Sequence, residues 1–488
     1  MLTIGALEYM DTRCKVFTPP DVATYMLDIV GYSDNLYGKK VIENSCGEGN
    51  ILCAIVQRYI DNLKGASCEY IRHGLQRDIV GYDIDEEFCK KAKSRLDEIA
   101  LKYGISDVKW NITCANALSI SAEEQYDFVI GNPPYISYRS LDIHTRKYLK
   151  ENFVSCKVGS FDYCYAFIEH AINSLKPNGK MIYLIPSSIF KNVHGENLRN
   201  IMFNHLEEIC DYTSKKLFGK ILTSSALISC VKGSTADHVV YRNIALNTIQ
   251  EIPKSQFRDK WTFENISYTG KARFGDYFSA SIVVATLLNA AYVLSNYEEV
   301  DDYIVLHNGQ KIEKSVTMEA ASPRSLRNQK KERIIFPYFY KDGNLMKYSE
   351  KEFMGRFPLA VEHLSTYMES LNKRDSDKQA KWFEYGRSQA LRHLNQNKLL
   401  ISTIITGKVE VYTLEADCVP YAGIFITQIG DLPLDVARRI LTSLDFVQYS
   451  LNIGIYANGH SVRITPSDIH DFIFDIGLFD TQVVDVMG

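Results

Sequence analysis

Short apolar runs alternate with amphipathic stretches through the first half of the chain. Lys40–Ile42 is a brief apolar run that enters a glycine turn at Ser45–Gly49, and Ile51–Leu63 after it carries apolar residues at helical spacing. Asp78–Tyr82 reads as a second strand ending in Asp83, Glu86–Tyr103 as a helix and Val108–Thr113 as a third strand. Tyr126–Ile130 is a fourth strand, ended by Gly131-Asn-Pro-Pro-Tyr135. Asp162–Leu175 reads as a helix stopped by Lys176-Pro-Asn-Gly179, and Lys180–Ile185 as a very apolar strand, with further strands around Ile209–Tyr212 and Ser225–Val231. This alternation predicts an α/β fold, a parallel sheet covered on both faces. After about residue 245 the alternation weakens, tyrosine and asparagine become frequent, and basic clusters appear at Arg324–Arg333 and Lys373–Trp382. Two domains are expected, 1–245 and 246–488.

Composition narrows the class without naming a chemistry. A chain of 488 residues exceeds what one core normally serves, so two or more domains are the prior. Its apolar runs, such as Met181–Pro186, fall far short of the roughly 20 residues a membrane span needs. No basic segment followed by an apolar stretch opens the chain, so a soluble, cytoplasmic protein is expected. The 11 cysteines are odd in number, form no CxxC pair and all but Cys418 lie in the first half. Reduced core thiols are the better reading than a disulfide framework or a zinc site, and no histidine pattern suggests a metal. A net charge of −4 argues against a small basic nucleic-acid binder, though a large enzyme can carry a local basic cleft.

The candidate chemistry sits where the predicted strands end. In open α/β sheets, ligands bind at the carboxyl ends of strands beside the topological switch point. Glu43-Asn-Ser-Cys-Gly-Glu-Gly-Asn50 follows the first strand, and its glycines let the backbone pass close to a ligand. Asp83 ends the second strand, where a carboxylate can accept both hydroxyls of a ribose; Asn116 follows the third, within reach of an adenine amino group. A dinucleotide site would want a third glycine where Leu52 stands and an acid about 20 residues on, and Asp83 lies further away than that.

Asn132-Pro133-Pro134-Tyr135 is the candidate catalytic motif, although by itself it also reads as a plain turn. Each proline fixes its own φ and extends the residue before it, giving a rigid arm that presents one amide, one carbonyl and then an exposed aromatic. If the Asn132 side-chain oxygen and the Pro133 carbonyl each accept one N–H of a planar amine, the nitrogen pyramidalises and its lone pair localises for attack on a methyl group. Orientation and preorganised acceptors supply the rate, and no basic side chain is needed. Tyr135 would stack on the flipped base, with Phe218 as the candidate for the second wall.

These residues resemble the γ-class, TaqI-like adenine-specific DNA methyltransferases of restriction-modification systems, over the first ~235 residues and in family order. The resemblance implies S-adenosylmethionine as cofactor and transfer to adenine N6. It implies a class I, Rossmann-like methyltransferase domain over 1–245 and a mixed α+β target-recognition domain over 246–488. Lys15-Val-Phe-Thr-Pro-Pro20 resembles the motif over the cofactor's methionine part, with Thr18 and Pro19 as contacts. Glu43, Ser45, Cys46, Gly47 and Gly49 stand for the first cofactor loop, Asp83 with Ile84 for the ribose acid, and Asn116-Ala117 for the adenine turn. Ser160–Phe167 resembles the next helix start, whose aromatics line the cofactor pocket, Phe167 matching best; Leu217–Leu222 resembles the motif supplying the second stacking aromatic. Asn44 replaces the family's usual proline, and Asn116 its frequent aspartate.

The resemblance also implies duplex DNA as substrate, a cognate restriction endonuclease as partner and a monomer. With the first motif near residue 15, no fused nuclease is expected ahead of it. In the second half, Arg324, Arg327, Lys330, Lys331 and Arg333 are candidates for phosphate contacts, and Arg387 and Gln389 for base edges. Both lie near or within stretches open to plain structural readings, although Trp382–Gln389 is similar to a segment of related recognition regions. Rival readings are a methyltransferase for RNA bases or a protein glutamine, which share Asn-Pro-Pro-Tyr, and a non-catalytic DNA-binding subunit.

Overall fold

A computed structural model describes residues 17–121, 123–213, 224–257, 259–263, 272–458 and 461–479. The chain divides into two compact units, Met1–Phe263 and Glu264–Gly488. Among the described residues no helix is long and apolar enough to cross a membrane.

The first unit is built on a nine-stranded sheet: β1 (Val41–Glu43), β2 (Ile79–Asp83), β3 (Asn111–Cys114), β4 (Tyr126–Gly131), β5 (Leu175–Pro186), β6 (Leu206–Asp211), β7 (Ser225–Val231), β8 (His238–Asn243) and β9 (Thr248–Pro253). Their order in space is β3-β2-β1-β4-β5-β7-β6-β8-β9. The strands from β3 to β5 are all parallel, as expected. Beyond β5 the expectation of a parallel sheet fails. β7 inserts antiparallel between β5 and β6, β6 pairs parallel with β8, and β9 closes antiparallel on β8. β7 is buried over nearly its whole length, so its apolar run reads like a parallel strand and hides its direction. The composition boundary near 245 falls in the turn between β8 and β9, whose pairing carries the first unit on to Phe263.

Helices cover both faces. They are α1 (Pro20–Val30), α2 (Asn50–Asn62), α3 (Cys68–Asp78), α4 (Glu86–Lys102), α5 (Ile143–Asn152), α6 (Cys164–Ser174) and α7 (Glu196–Phe203). α1 starts on Pro20, whose fixed φ suits a first turn, and stops at Gly31 in the left-handed region (φ 70°). α4 is capped by Asp85, which accepts the N–H groups of Glu87 and Phe88, with Glu86 and Glu87 at the positive end of the helix dipole. β5 shows how the layers share a strand. Met181, Tyr183 and Ile185 enter the core with α6 and α7, while Ile182 and Leu184 enter the core with α1 and α2. A strand buried on both faces reads as a continuous apolar run. α3 was not legible in the sequence, because it buries only Ile71, Gly74, Leu75 and Asp78 and is otherwise polar.

The second unit is mixed α+β. One four-stranded sheet joins Phe278–Ile282, Ile424–Gln428, Lys398–Ile401 and Tyr412–Leu414, and shares a core with helices Leu434–Thr442 and Leu444–Ile453. A second joins Val293–Ser295, Glu332–Ile335, Thr317–Ala321 and Cys418–Pro420, and packs with helices Glu350–Arg356 and Pro358–Ser365.

Candidate active site

The strand order reverses at β1 and β4, which pair with each other, and the chain leaves both at their carboxyl ends through candidate motifs. After β1, the Gly47 and Gly49 backbones take positive φ (49° and 80°). A Cβ on Gly49 would lie 3.0 Å from the Ala92 Cβ of α4, so glycine is required both by conformation and by close packing. The loop is tied to β2: Cys46 N–H donates to the Tyr82 carbonyl (2.9 Å), and Gly47 N–H to Asp83 Oδ2 (2.8 Å). Asp83 Oδ1 accepts the Asp85 N–H (2.9 Å), and burial raises its carboxyl pKa above the ordinary value.

Glu43 is almost fully buried and accepts the Leu52 N–H at 3.1 Å, serving one of the unpaired donors in the first turn of α2. Burial pushes its pKa well up. Asn44, in the family's proline position, receives the Tyr183 hydroxyl on Oδ1 at 2.5 Å. Its buried Nδ2 has no hydrogen-bond partner among the described residues. Asn116 Oδ1 caps the short turn Ala117–Ser119 by accepting the Leu118 N–H (3.1 Å), and the Ile84 carbonyl receives the Cys114 thiol.

Asn132 leaves β4 into the same region. Its Nδ2 donates to Thr18 Oγ1 (3.2 Å), and its backbone carbonyl accepts the Ser45 hydroxyl (3.2 Å). Thr18 is itself buried, and its carbonyl accepts Asn50 Nδ2 (2.9 Å). Pro19 lies beside it as the N-cap of α1. Thus Thr18, Ser45 and Asn132 are brought together from three separate stretches of sequence.

Tyr135 departs from the expectation of an exposed aromatic. Its ring packs against the core with α6, and its hydroxyl lies 2.7 Å from Asn132 Oδ1 and 2.8 Å from the Leu184 carbonyl. The proline-stiffened arm turns this side chain back onto the strand ends, where the hydroxyl finds acceptors. Burial raises its pKa, with Cys164 and Asp162 adding to the effect. Asp162 is a residue that sequence reading missed. It accepts the Cys164 N–H at 3.1 Å, and burial pushes its pKa up to about 6. Its signal was an acid two residues before a helix, which reads first as a cap. Phe167 is buried, edge-on to Tyr163 at 5.3 Å. Phe218 lies outside the described residues.

The candidates of the second unit are mostly engaged within it. Arg327 pairs with Glu410 (2.8 Å) and Arg387 with Asp375 (3.2 Å), while the largely covered Arg333 binds Thr317 and Glu299. Arg324, Lys330, Lys331 and Gln389 are exposed. In the Trp382–Gln389 stretch, Phe383 stacks on Phe353 at 4.2 Å, Glu384 meets Lys347 at 2.6 Å, and the Tyr385 hydroxyl donates to the Ile335 carbonyl. This half of the segment is core.

Residues 39–218 match the model of the Eco57I restriction-modification methylase family. The matched stretch holds the glycine loop, Asp83 and Asn132 and ends at Phe218, while Thr18 lies ahead of it. The Type II methyltransferase M.HincII of Haemophilus influenzae is 26% identical over 280 residues, covering 56% of this chain and 46% of that protein. M.BstVI of Geobacillus stearothermophilus is 25% identical over 253 residues, covering 48% and 44%. The chain spans about half the length of these curated relatives. Among solved structures, the Type IIL restriction-modification enzyme MmeI in complex with DNA superposes with TM-score 0.59 at 13% identity, over 93% of this chain and 64% of that one. A nuclease-deletion mutant of the Type ISP enzyme LlaGI gives 0.52 at 14%, over 87% and 43%. The first unit thus has a class I, Rossmann-like fold, with an additional unit after it in the chain.

Proposed function

We propose that the chain is an S-adenosylmethionine-dependent DNA methyltransferase of the γ class, acting on the N6 amino group of an adenine flipped out of duplex DNA. The observation that carries this reading is the orientation of the Asn132 amide at the end of β4. Thr18 accepts its Nδ2–H, so Oδ1 is the atom presented as an acceptor.

The residues after β1 and β2 suit the cofactor. A glycine loop strained by any Cβ at Gly49, the Asp83 carboxylate held by the Gly47 and Asp85 N–H groups, and the Asn44 Nδ2, without a hydrogen-bond partner among the described residues, provide its polar surroundings. Asp83 would hold the ribose hydroxyls, Asn116 and Ala117 the adenine, and Thr18, Pro19 and Phe167 the remainder. S-adenosylmethionine, when bound, supplies an electrophilic methyl group. Asn132 Oδ1 and the Pro133 carbonyl each accept one amino N–H and localise the nitrogen lone pair. The proton that the nitrogen loses leaves to water, so no basic side chain is required. Tyr135 turns outward to stack on the base, opposite Phe218. Residues 246–488 read the target sequence, with a cognate endonuclease as partner.

Single-molecule sequencing of host DNA with and without the gene tests this. The expected result is one adenine-containing motif modified only when the gene is present. Modified transcripts beside unmodified DNA would move the reading to an RNA enzyme.

A further inference from the structure

Between the Asn132 arm and α6 the chain makes an excursion, residues 137–161, that is tied at its neck. Ser137 bridges to Asp162, and the Tyr163 N–H donates to the Ile136 carbonyl (2.9 Å). From Arg139 to Lys150 this excursion has four lysines and arginines against one acid, on a chain whose net charge is −4. That acid, Asp142, is engaged as the cap of α5, accepting from His144, Thr145 and the Thr145 hydroxyl. Two cations share one ring. The Arg146 guanidinium lies 4.7 Å and the Lys150 ammonium 5.1 Å from the Tyr138 ring centre, which itself meets Phe161 edge-on. Arg146 also donates to the Arg139 carbonyl, which draws Arg139 alongside. Neither Arg139, Arg146 nor Lys150 makes an ion pair among the described residues, and the only one at Lys147 is to Glu151 at 3.9 Å. Like charges gathered this closely raise the local potential, and a polyanion relieves it.

We infer that this face of the first unit, Arg139, Arg146, Lys147 and Lys150, docks the phosphate backbone of duplex DNA beside the target base. The inference rests on the DNA methyltransferase reading above and adds a backbone contact on the catalytic unit itself. Arg139 stands seven positions after Asn132, no more than about 25 Å away along the chain and so within one duplex turn of about 34 Å. Tyr138 acts as the spacer that keeps Arg146 and Lys150 on one side of α5. Phosphate contacts carry no base code, so this surface sets position and the second unit sets sequence.

The test is the salt dependence of binding to a labelled random-sequence duplex of about 30 bp, by fluorescence anisotropy between roughly 50 and 200 mM KCl. The full chain is compared with the Arg139→Gln, Lys147→Gln, Lys150→Gln triple variant. Each phosphate contact contributes about 0.9 to the slope of log affinity against log salt, so the variant should lose about 2.7 of slope and at least about 10-fold in affinity near 100 mM. The charge-keeping Arg139→Lys, Lys147→Arg, Lys150→Arg variant should bind like the parent, as should Lys64→Gln, Lys102→Gln, Lys109→Gln. An unchanged slope in the first variant overturns the docking surface and leaves the methyltransferase reading standing. A parent chain that binds no duplex overturns both. Tighter binding of an RNA duplex of equal length, lost in the same variant, assigns the surface to RNA and overturns the DNA partner.

Discussion

Replacing Tyr135 by Phe and by Ala separates the two jobs that its position suggests. Phe removes only the hydroxyl that lies 2.7 Å from Asn132 Oδ1 and 2.8 Å from the Leu184 carbonyl. A net intramolecular hydrogen bond is worth about 1 kcal/mol, and a buried acceptor left unserved costs about 1–3 kcal/mol. The first unit should therefore lose about 1–2 kcal/mol, which for a body of this size lowers Tm by roughly 2–8 °C in calorimetry. Catalysis should behave oppositely. The ring that stacks on the base is kept, and the hydroxyl no longer has to break from its acceptors before the ring turns outward, so kcat should stay within a few-fold of the parent. Ala removes the ring, and base–aromatic stacking is worth about 1–3 kcal/mol, so kcat/KM should fall by about 5- to 150-fold. Fluorescence of 2-aminopurine at the target position, with a tritiated methyl-transfer assay, reads both effects. If Tyr135→Phe loses as much transfer as Tyr135→Ala, the hydroxyl rather than the ring carries the function, and the stacking role is wrong.

Three further outcomes follow from the site. Asn132→Ala should abolish methyl transfer while cofactor binding by calorimetry stays within a few-fold; full activity would falsify the proposed acceptor. Gly49→Ala forces a positive φ on an L-residue and a 3.0 Å contact with Ala92, and should cost about 1–3 kcal/mol in denaturant unfolding and weaken cofactor binding; a neutral result would mean the loop re-forms around a Cβ. Asp162 has a folded pKa of about 6 against 3.8, so the fold favours its protonated form. Its contribution is complete below pH 3.8 and is lost as pH rises through 6, a fall of about 3 kcal/mol at most. Asp162→Asn should remove that part of the pH dependence, and an unchanged pH–stability curve would contradict it.

Much of the first unit was legible because local rules and global fold agree there. The apolar run before Asn132 is a strand, the two prolines mark its end, and the glycines after β1 sit where positive φ is needed. What stayed hidden was set by tertiary context. α3 is too polar to show a periodicity, and the direction of β7 depends on its neighbours rather than on its residues. The inward turn of Tyr135 needs the Leu184 carbonyl, 49 positions away. Arg327 and Arg387 looked like free cations because Glu410 and Asp375 lie far off or look unremarkable in sequence.

The hydrogen bond from Asn132 to Thr18 has a thermodynamic consequence. Thr18 belongs to the segment proposed to cover the cofactor, and Asn132 is the proposed contact to the base. A ligand that shifts Thr18 reorients the acceptor meant for the other substrate, so each substrate's affinity depends on whether its partner is bound. Linkage requires that dependence to be equal in both directions. Calorimetric titrations should then show cofactor affinity shifted by bound duplex by the same factor as duplex affinity is shifted by bound cofactor, with that factor brought closer to one in Thr18→Val.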